Sequence, residues 1–494
     1  VTLAVDNASI AEADGVATFT ATLSEVTTVA VTVDLEITGS ATAGDDYNAS
    51  GTQIVIAAGE TTGSVSVTAV QDEQDEPDET VVVDISAVTG GTESGTQQAT
   101  TTIADDDEPT GFAVTALTRT STGFQVAFTN EIDVADLSLY DTQTAGLGPA
   151  DVVLTGATSG PVSGSLVVDA SGRMVEFIKT GDALTPDTYT VTLRSATDGF
   201  EDTGGLLLDG DGDGTGGDDY SSAFTVDEPA AGTVTVGIPD IVRGPGQEVN
   251  LPADATTGIP LTISDGTNIR AIDARISYDP TLLNITAATL GPDAPAGASV
   301  ILNNSTPGLA IVVYFATAPL PVGAGTFVNL QASVPTDNAS ENYRRQQVLD
   351  VHDVIVSDGN DNESPVIEND ALQVTTFFAD VTANGRINAA DAAGVARIAA
   401  LLDGGFLGTP STDPGLVGDI SGNGRLNAAD ASLVAQFAAL IPVSQIPAIP
   451  GGVVITGLPG VAILPSWPVD HSSSRGVDDS ADSSEGSAEL AAAS

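Results

Sequence analysis

The sequence predicts a mainly β protein: three tandem antiparallel β-sandwiches, followed by a small α domain and an extended Pro-rich tail. Three observations carry this. Apolar residues alternate with Thr, Ser and charged residues as far as Phe378, a twelve-residue acidic segment beginning at Asp380 returns 39 positions later at Asp419, and Pro and Gly interrupt the apolar stretches after Ile441. A period of two puts successive side chains on opposite faces of a strand, one toward a core and one toward solvent.

The first sandwich is expected over residues 1–109, where Ala17–Leu23 and Thr52–Ile56 alternate between Gly, Asp and Asn turns. The second is expected over 110–229, with strands at Phe124–Phe128 and Tyr189–Leu193, and the third over 230–377. Asp107-Glu108-Pro109 and Asp227-Glu228-Pro229 read as short, stiff linkers. Over 378–441 the spacing becomes helical, through Val395, Ile398, Leu401 and Leu402, then Leu433, Val434, Phe437 and Leu440. Over 442–494, Gly452–Thr456 and Val461–Leu464 suit extended chain, and the Ser/Asp-rich end beyond His471 lacks the apolar content to fold alone.

The 494 residues carry 68 Asp+Glu against 13 Lys+Arg, a formal charge of −55. Such a chain has no basic patch for phosphates, which excludes nucleic acid and anionic membrane surfaces as partners. No apolar run is long enough for membrane insertion. Hydrophobic residues, at 41%, still suffice for cores. The absence of Cys removes disulfides, thiolate metal sites and a thiol nucleophile, and Lys179 is the lone lysine. Divalent cations held on carboxylates, above all calcium, are the natural substitute. Two histidines, His352 and His471, and a single Trp467 leave little for triad catalysis or sugar stacking, so no enzyme is expected. The start at Val1, without a charged and apolar leader, reads as a mature or truncated soluble protein, any signal peptide lying upstream. Sequons at Asn7, Asn48, Asn284, Asn303, Asn304, Asn338 and Asn362 fit a surface glycoprotein.

The repeat is the strongest chemical signal. Residues 380–391 and 419–430 agree at eight of twelve positions. An EF-hand-type calcium loop needs side-chain oxygens at positions 1, 3, 5 and 12, a carbonyl at 7 and Gly at 6. Asp380, Thr382, Asn384 and Asp391 with the Arg386 carbonyl meet this, as do Asp419, Ser421, Asn423 and Asp430 with the Arg425 carbonyl. Gly385 and Gly424 stand at position 6, and Asn388 and Asn427 stand where a helix N-cap is wanted. Two carboxylates per loop place the affinity in the weak, extracellular range. The pair closely resembles the dockerin module, a plug for a cohesin domain. That resemblance implies partner contacts at Ala389, Ala390, Ala428 and Ala429.

Gly244-Pro-Gly246 leading to Val249, and Arg270 to Leu283 with Tyr278-Asp279-Pro280, resemble a cohesin domain. Ser9-Ile10-Ala11-Glu12, Asp45-Asp46-Tyr47, Asp72 to Thr80 and Asp105-Asp106-Asp107 follow the order of a Calx-beta domain. This resemblance implies a calcium cluster of Glu12, Asp46, Asp72, Glu76, Glu79, Asp105, Asp106 and Asp107, at the end of the sandwich abutting the next domain. The second sandwich, with its Phe112–Val114 and Leu184–Tyr189 segments, is similar to bacterial Ig-like domains of surface-layer proteins. Its Asp209-Gly-Asp211-Gly-Asp213 offers a further calcium loop.

Together these imply a secreted, calcium-stabilised structural protein whose cohesin-like socket receives the dockerin-like plug of the next copy, building an extracellular fibre. The alternative is a cell-surface adhesin or scaffold that binds unlike cohesin- or dockerin-bearing partners such as glycoside hydrolases. The apolar Val453–Leu464 stretch either adds a strand to a neighbouring sheet or packs on its own chain.

Overall fold

A computed structural model describes residues 1–456 except Asp14, 73–75, 106–110, Asp136, 142–147, Asp254 and Asp361. The chain forms two compact units, Val1–Gly111 and Phe112–Ser494.

The first unit holds β1 (Thr2–Val5), β2 (Ser9–Ala11), β3 (Val16–Thr22), β4 (Val31–Gly39), β5 (Tyr47–Ala49), β6 (Gln53–Ile56), β7 (Thr62–Ala69), β8 (Glu79–Thr89) and β9 (Gln98–Ala104). One sheet runs β1-β3-β7-β5 and the other β2-β9-β8-β4-β6. Ala17, Phe19 and Ala21 of β3 are fully buried, alongside Val33, Val67, Val81, Val83, Ile54 and Ile56. The intervening Thr and Ser positions line the outer faces, as the period of two requires.

The second unit begins with β10 (Phe112–Arg119), β11 (Gly123–Phe128), β12 (Val152–Gly156), β13 (Gly160–Pro161), β14 (Gly164–Val168), β15 (Met174–Lys179), β16 (Asp187–Leu193), β17 (Leu208–Asp209) and β18 (Tyr220–Val226). Sheets β14-β15-β11-β10-β17 and β13-β12-β16-β18 enclose an aromatic core in which the Phe124 and Phe177 rings stack 5.3 Å apart. The third sandwich comprises β19 (Val234–Gly237), β20 (Ile241–Val242), β21 (Ile259–Ile263), β22 (Ala271–Ser277), β23 (Asn284–Leu290), β24 (Ser299–Asn303), β25 (Leu309–Phe315), β26 (Gly325–Ser333), a short helix α1 (Ala339–Asn342), β27 (Gln346–Ser357), β28 (Glu363–Ser364), β29 (Val366–Asn369) and β30 (Ala371–Val374). Its sheets run β23-β26-β21-β19-β29 and β20-β30-β27-β22-β25-β24. Tyr278, Asp279, Leu282 and Leu283 are buried, and Asp279 Oδ1 accepts from Thr281 N at 2.8 Å, so that segment is a turn that holds the fold.

Helices α2 (Ala389–Ala399), α3 (Pro414–Gly418) and α4 (Ala428–Ala438) complete the described chain. Here the helical spacing read from sequence is corrected. Leu401 and Leu440 lie beyond the helix ends at φ 56° and 63°, outside the core, and are 87% and 92% exposed. The helical module is not free-standing. Val381, Val395, Phe406, Val417 and Val434 share one core with Val167 and Ile178 of the second sandwich and Val242, Val348 and Leu372 of the third. Polar contacts reinforce it: Leu166 N donates to Ser411 O at 2.8 Å, and Gln346 Nε2 to Ser411 Oγ at 2.6 Å. Val453 and Ile455 pack on the chain's own Tyr343, Phe377 and Ala383, while Val461–Leu464 lies outside the described residues.

Asp240 sits at the join of the two later sandwiches, accepting from Leu372 N at 2.7 Å and Gly181 N at 2.9 Å. Burial, only partly offset by these two donors, pushes its carboxyl up to about 6 from an ordinary 3.8. The folded state therefore keeps this proton longer than the unfolded chain, so stability falls as pH rises from about 4 to 6 and the cost is complete above that window. At constant calcium, the melting temperature of Asp240→Asn minus that of the wild type should rise by a few degrees across that interval. A flat difference would remove Asp240 as the source.

Candidate calcium centres and docking faces

In the first unit the acidic residues gather at one end of the sandwich, because they terminate neighbouring strands. Glu12 follows β2, Asp46 precedes β5, Asp72 and Glu76 join β7 to β8, Glu79 opens β8 and Asp105 follows β9. Carboxylate oxygens of Asp46, Glu76 and Glu79 all lie within 4.8 Å of one another. Glu12, 8% exposed, accepts from Asp72 N at 3.1 Å. Asp105 N donates to Asp78 Oδ1 at 3.3 Å, and Asp105 Oδ1 is buried without a hydrogen-bond partner among the described residues. Asp78 was not among the ligands expected from sequence. Asp106 and Asp107 lie outside the described residues. Burial, a shared hydrogen bond with Asp46 and the charges of Asp46, Glu76 and Glu12 together push the Glu79 carboxyl up to about 7. Carboxylates this close repel, and a cation fits the donor set.

In the second sandwich the loop after β17 wraps around Asp209, whose Oδ1 and Oδ2 accept from Gly212 N and Gly214 N, each at 2.8 Å. Gly212 and Gly214 adopt φ 77° and 83°, a curvature side chains disfavour. That curl brings Asp218 to Asp209 and Asp211 within 4.8 Å, whereas Asp213 turns to accept from Thr215 N at 2.8 Å. The structure thus substitutes Asp218 for the Asp213 that alternation suggested.

The two repeats of the helical module share most of their hydrogen bonds. Asp380 Oδ1 and Oδ2 accept from Asn384 N at 3.1 Å and Gly385 N at 2.6 Å, and Asp419 accepts from Asn423 N at 3.2 Å and Gly424 N at 2.6 Å. Gly385 and Gly424 have φ 81° and 74°. Asp391 Oδ1 accepts from Thr382 N at 2.9 Å, and Asp430 Oδ1 from Ser421 N at 2.8 Å. The second oxygen of each closes a capping box, accepting from Asn388 N at 2.8 Å or Asn427 N at 2.9 Å, while Asn388 and Asn427 side chains accept from Ala390 N and Ala429 N. Thr382 Oγ1 lies 3.3 Å from Asp380 and 2.8 Å from Asp391, so side-chain oxygens of positions 1, 3 and 12 converge. The Arg386 and Arg425 carbonyls accept from Asn388 Nδ2 at 3.5 Å and Asn427 Nδ2 at 3.1 Å. Asp391 and Asp430 are fully buried, and no salt bridge among the described residues reaches them. Buried, converging oxygens without a cationic side chain suit a hard divalent cation. Calcium there would neutralise the two carboxylates and tie each loop to its helix.

Two apolar faces remain open. Ala389, Ala390, Ala428 and Ala429 are exposed at the first turns of α2 and α4, next to the exposed Arg386 and Arg425. On the third sandwich, register places Ile301 of β24 beside Val313 of β25, Val313 beside Asp273 of β22, and Asp273 beside Ile355 of β27. Ile301, Phe315 and Ile355 there are 55%, 46% and 47% exposed. The same face carries an arrangement that sequence reasoning had set aside: Ser277 Oγ is 2.9 Å from His352 Nε2, and His352 Nδ1 is 3.6 Å from Asp353. The strands around this trio are paired on both sides, β22 with β25 and with β27.

Family models match three segments: the Calx-beta domain over residues 1–107, the cohesin domain over 246–374 and the dockerin type I domain over 379–437. Similar solved structures include a non-cellulosomal cohesin from the hyperthermophilic archaeon Archaeoglobus fulgidus, 14% identical over 29% of this chain and 91% of that one, with a TM-score of 0.24. Another is the third ScaC cohesin of Acetivibrio cellulolyticus in complex with the ScaB dockerin, 17% identical over 29% of this chain and 99% of that one, TM-score 0.23. A third is CaCohA2 from Clostridium acetobutylicum, 24% identical over 29% of this chain and 91% of that one, TM-score 0.24. No curated protein matches the chain. Type I dockerins and Calx-beta domains are calcium-binding families, and cohesins and dockerins bind each other. Among the described residues no helix is long and apolar enough to cross a membrane. In order along the chain stand segments that match the Calx-beta, cohesin and type I dockerin family models.

Proposed function

We propose that this is a non-catalytic, calcium-stabilised structural protein of the cell exterior that assembles head to tail. The helical module of one copy enters the open sheet face of the third sandwich of the next. The observation that carries this reading is the simultaneous exposure of the two apolar faces on one unit. The four alanines with Leu401 and Leu440 form the plug, and Ile301, Phe315 and Ile355 form the socket. Exposed apolar side chains on the helical module and on the sheet face offer candidate interaction surface. Asp273 and Asp353 on the sheet complement Arg386 and Arg425 beside the plug. A contact within one chain would first have to break the core that fastens the helical module to β20, β27 and β30, whereas a contact between copies leaves it intact. Two unlike surfaces joined in this way make a heterologous contact, which propagates as a filament when the rotation does not close. The first unit and the second sandwich then serve as spacers.

Wild-type protein in millimolar calcium should form fibres in negative stain that excess chelator dissolves. Leu401→Asp with Leu440→Asp removes the plug, and Ile301→Asp with Phe315→Asp removes the socket. Each variant alone should stay monomeric by light scattering, and an equimolar mixture should form a heterodimer through the one plug and one socket left. A calcium-loaded wild-type monomer at every concentration would sink self-assembly and leave docking to unlike cohesin- or dockerin-bearing partners.

A further inference from the structure

The two calcium-type loops are near-copies inside, yet their surroundings differ. Asp380 has no exposed surface, and Tyr343, between α1 and β27 of the third sandwich, donates to its Oδ2 at 2.6 Å. Tyr343 is itself fully buried and is fixed from behind, its hydroxyl accepting from Phe377 N at 3.0 Å. Arg344 adopts φ 75°, and from there donates Nε and Nη2 to Ala383 O at 3.1 and 3.0 Å. A positive φ in an Arg is uncommon, so surrounding contacts hold it. The chain after α4 then returns across the same loop. Ile455 packs so tightly on Gly385 that a Cβ there would lie 2.6 Å from Ile455 Cβ, and Thr456 N donates to Ser340 Oγ at 3.0 Å.

The second loop has none of this. Asn and Arg are exposed in both loops, but Gly424 is exposed where Gly385 is half-buried, and a Cβ on Gly424 would meet nothing within 4 Å. Among the described residues, the hydrogen bonds of its side chains stay within the helical module. Asp419 borders an open cavity of about 270 Å³.

We propose that the first loop is a structural calcium site completed by the third sandwich, with Tyr343 as the positioning residue of Asp380, and that the second loop is the readily exchanging site. The Tyr343 hydroxyl fixes the Asp380 carboxylate and leaves its other oxygen toward Thr382 and Asp391, the orienting role that hydrogen bonds to a ligand perform in metal sites. The Ile455 segment covers the Gly385 side of the loop, so loosening it speeds the escape of an ion. Calcium in the first loop therefore fastens the helical module to the third sandwich, and calcium in the second can come and go while the module stays in place. This rests on the calcium reading of both loops.

Calcium release from the full chain, followed in stopped flow with a chromophoric chelator, tests it. A slow phase should persist in Asp419→Ala and vanish in Asp380→Ala. Tyr343→Phe should speed that phase by about tenfold, the scale on which orienting partners act, and leave the phase lost in Asp419→Ala unchanged. Ile455→Ala, at a partly exposed position, should accelerate the same slow phase and stands in should Tyr343→Phe not fold. A slow phase unmoved by either variant, or one that disappears in Asp419→Ala, overturns the proposal. Asp380→Ala with Asp419→Ala releasing as many ions as wild type would instead overturn the calcium reading beneath it.

Discussion

Asp391→Ala is expected to empty the first loop of calcium and to melt α2 in the same step, whereas Asp391→Asn should lose most of the calcium and keep the helix. The side chain has two duties. One oxygen accepts from Thr382 N and Oγ1 at 2.9 and 2.8 Å, and the other accepts from Asn388 N at 2.8 Å, all without solvent. Alanine forfeits the capping box, about 1 kcal/mol, and leaves buried N–H groups unpaired at about 1–3 kcal/mol each. Asparagine retains an oxygen for the cap and removes only the charge and one acceptor. Asp430→Ala should do the same to α4, through Ser421 N and Asn427 N. Calorimetric calcium stoichiometry with far-ultraviolet dichroism separates the two losses. Full stoichiometry in Asp391→Ala would rule that carboxylate out as a ligand.

Glu79→Gln is expected to move the first unit in opposite directions with and without calcium. Without a cation, the folded state holds the Glu79 proton up to about 7 against an ordinary 4.5. The native state thus binds more protons than the unfolded chain across that interval, so metal-free stability falls as pH rises from about 4.5 to 7, with the full cost above it. Glutamine keeps a donor for Asp46 and removes the charge, so at neutral pH the chelated variant should melt several degrees above chelated wild type. With calcium present the ranking should reverse, since Gln is a weaker ligand than a carboxylate beside Asp46 and Glu76. Melting curves of the first unit in calcium and in chelator decide it. A shift of the same sign in both conditions would mean that the cluster is a solvated acidic end and not a cation site.

Features that depend on few consecutive residues were legible in the sequence. Alternation located β3, β6, β11 and β16, because a strand's two faces see different solvents whatever its partners are. The loop repeat was legible because Gly at position 6 and Asn at the cap set a local backbone path that two carboxylates eleven residues apart then close. Periodicity, by contrast, ran on to Leu401 and Leu440, because it records which residues are apolar and not where the last helical hydrogen bond falls. Asp218 displaced Asp213 for a similar reason: alternate spacing assumes an extended strand, and Gly212 and Gly214 curl the loop.

By itself the sequence determined the strand faces, the backbone course of each repeat loop and the symmetry of the helical repeat, since propensity and periodicity act over short stretches of chain. Only the tertiary structure decided which side of the helical module is spent on its own chain and which stays open, because that depends on Val167, Ile178, Val242 and Leu372 meeting Val381 and Phe406 across long separations. The same long-range packing sets Tyr343 against Asp380 and leaves Asp419 half-buried beside an open cavity. It makes two loops of nearly one sequence unequal, because burial changes what an ion gains and how it escapes.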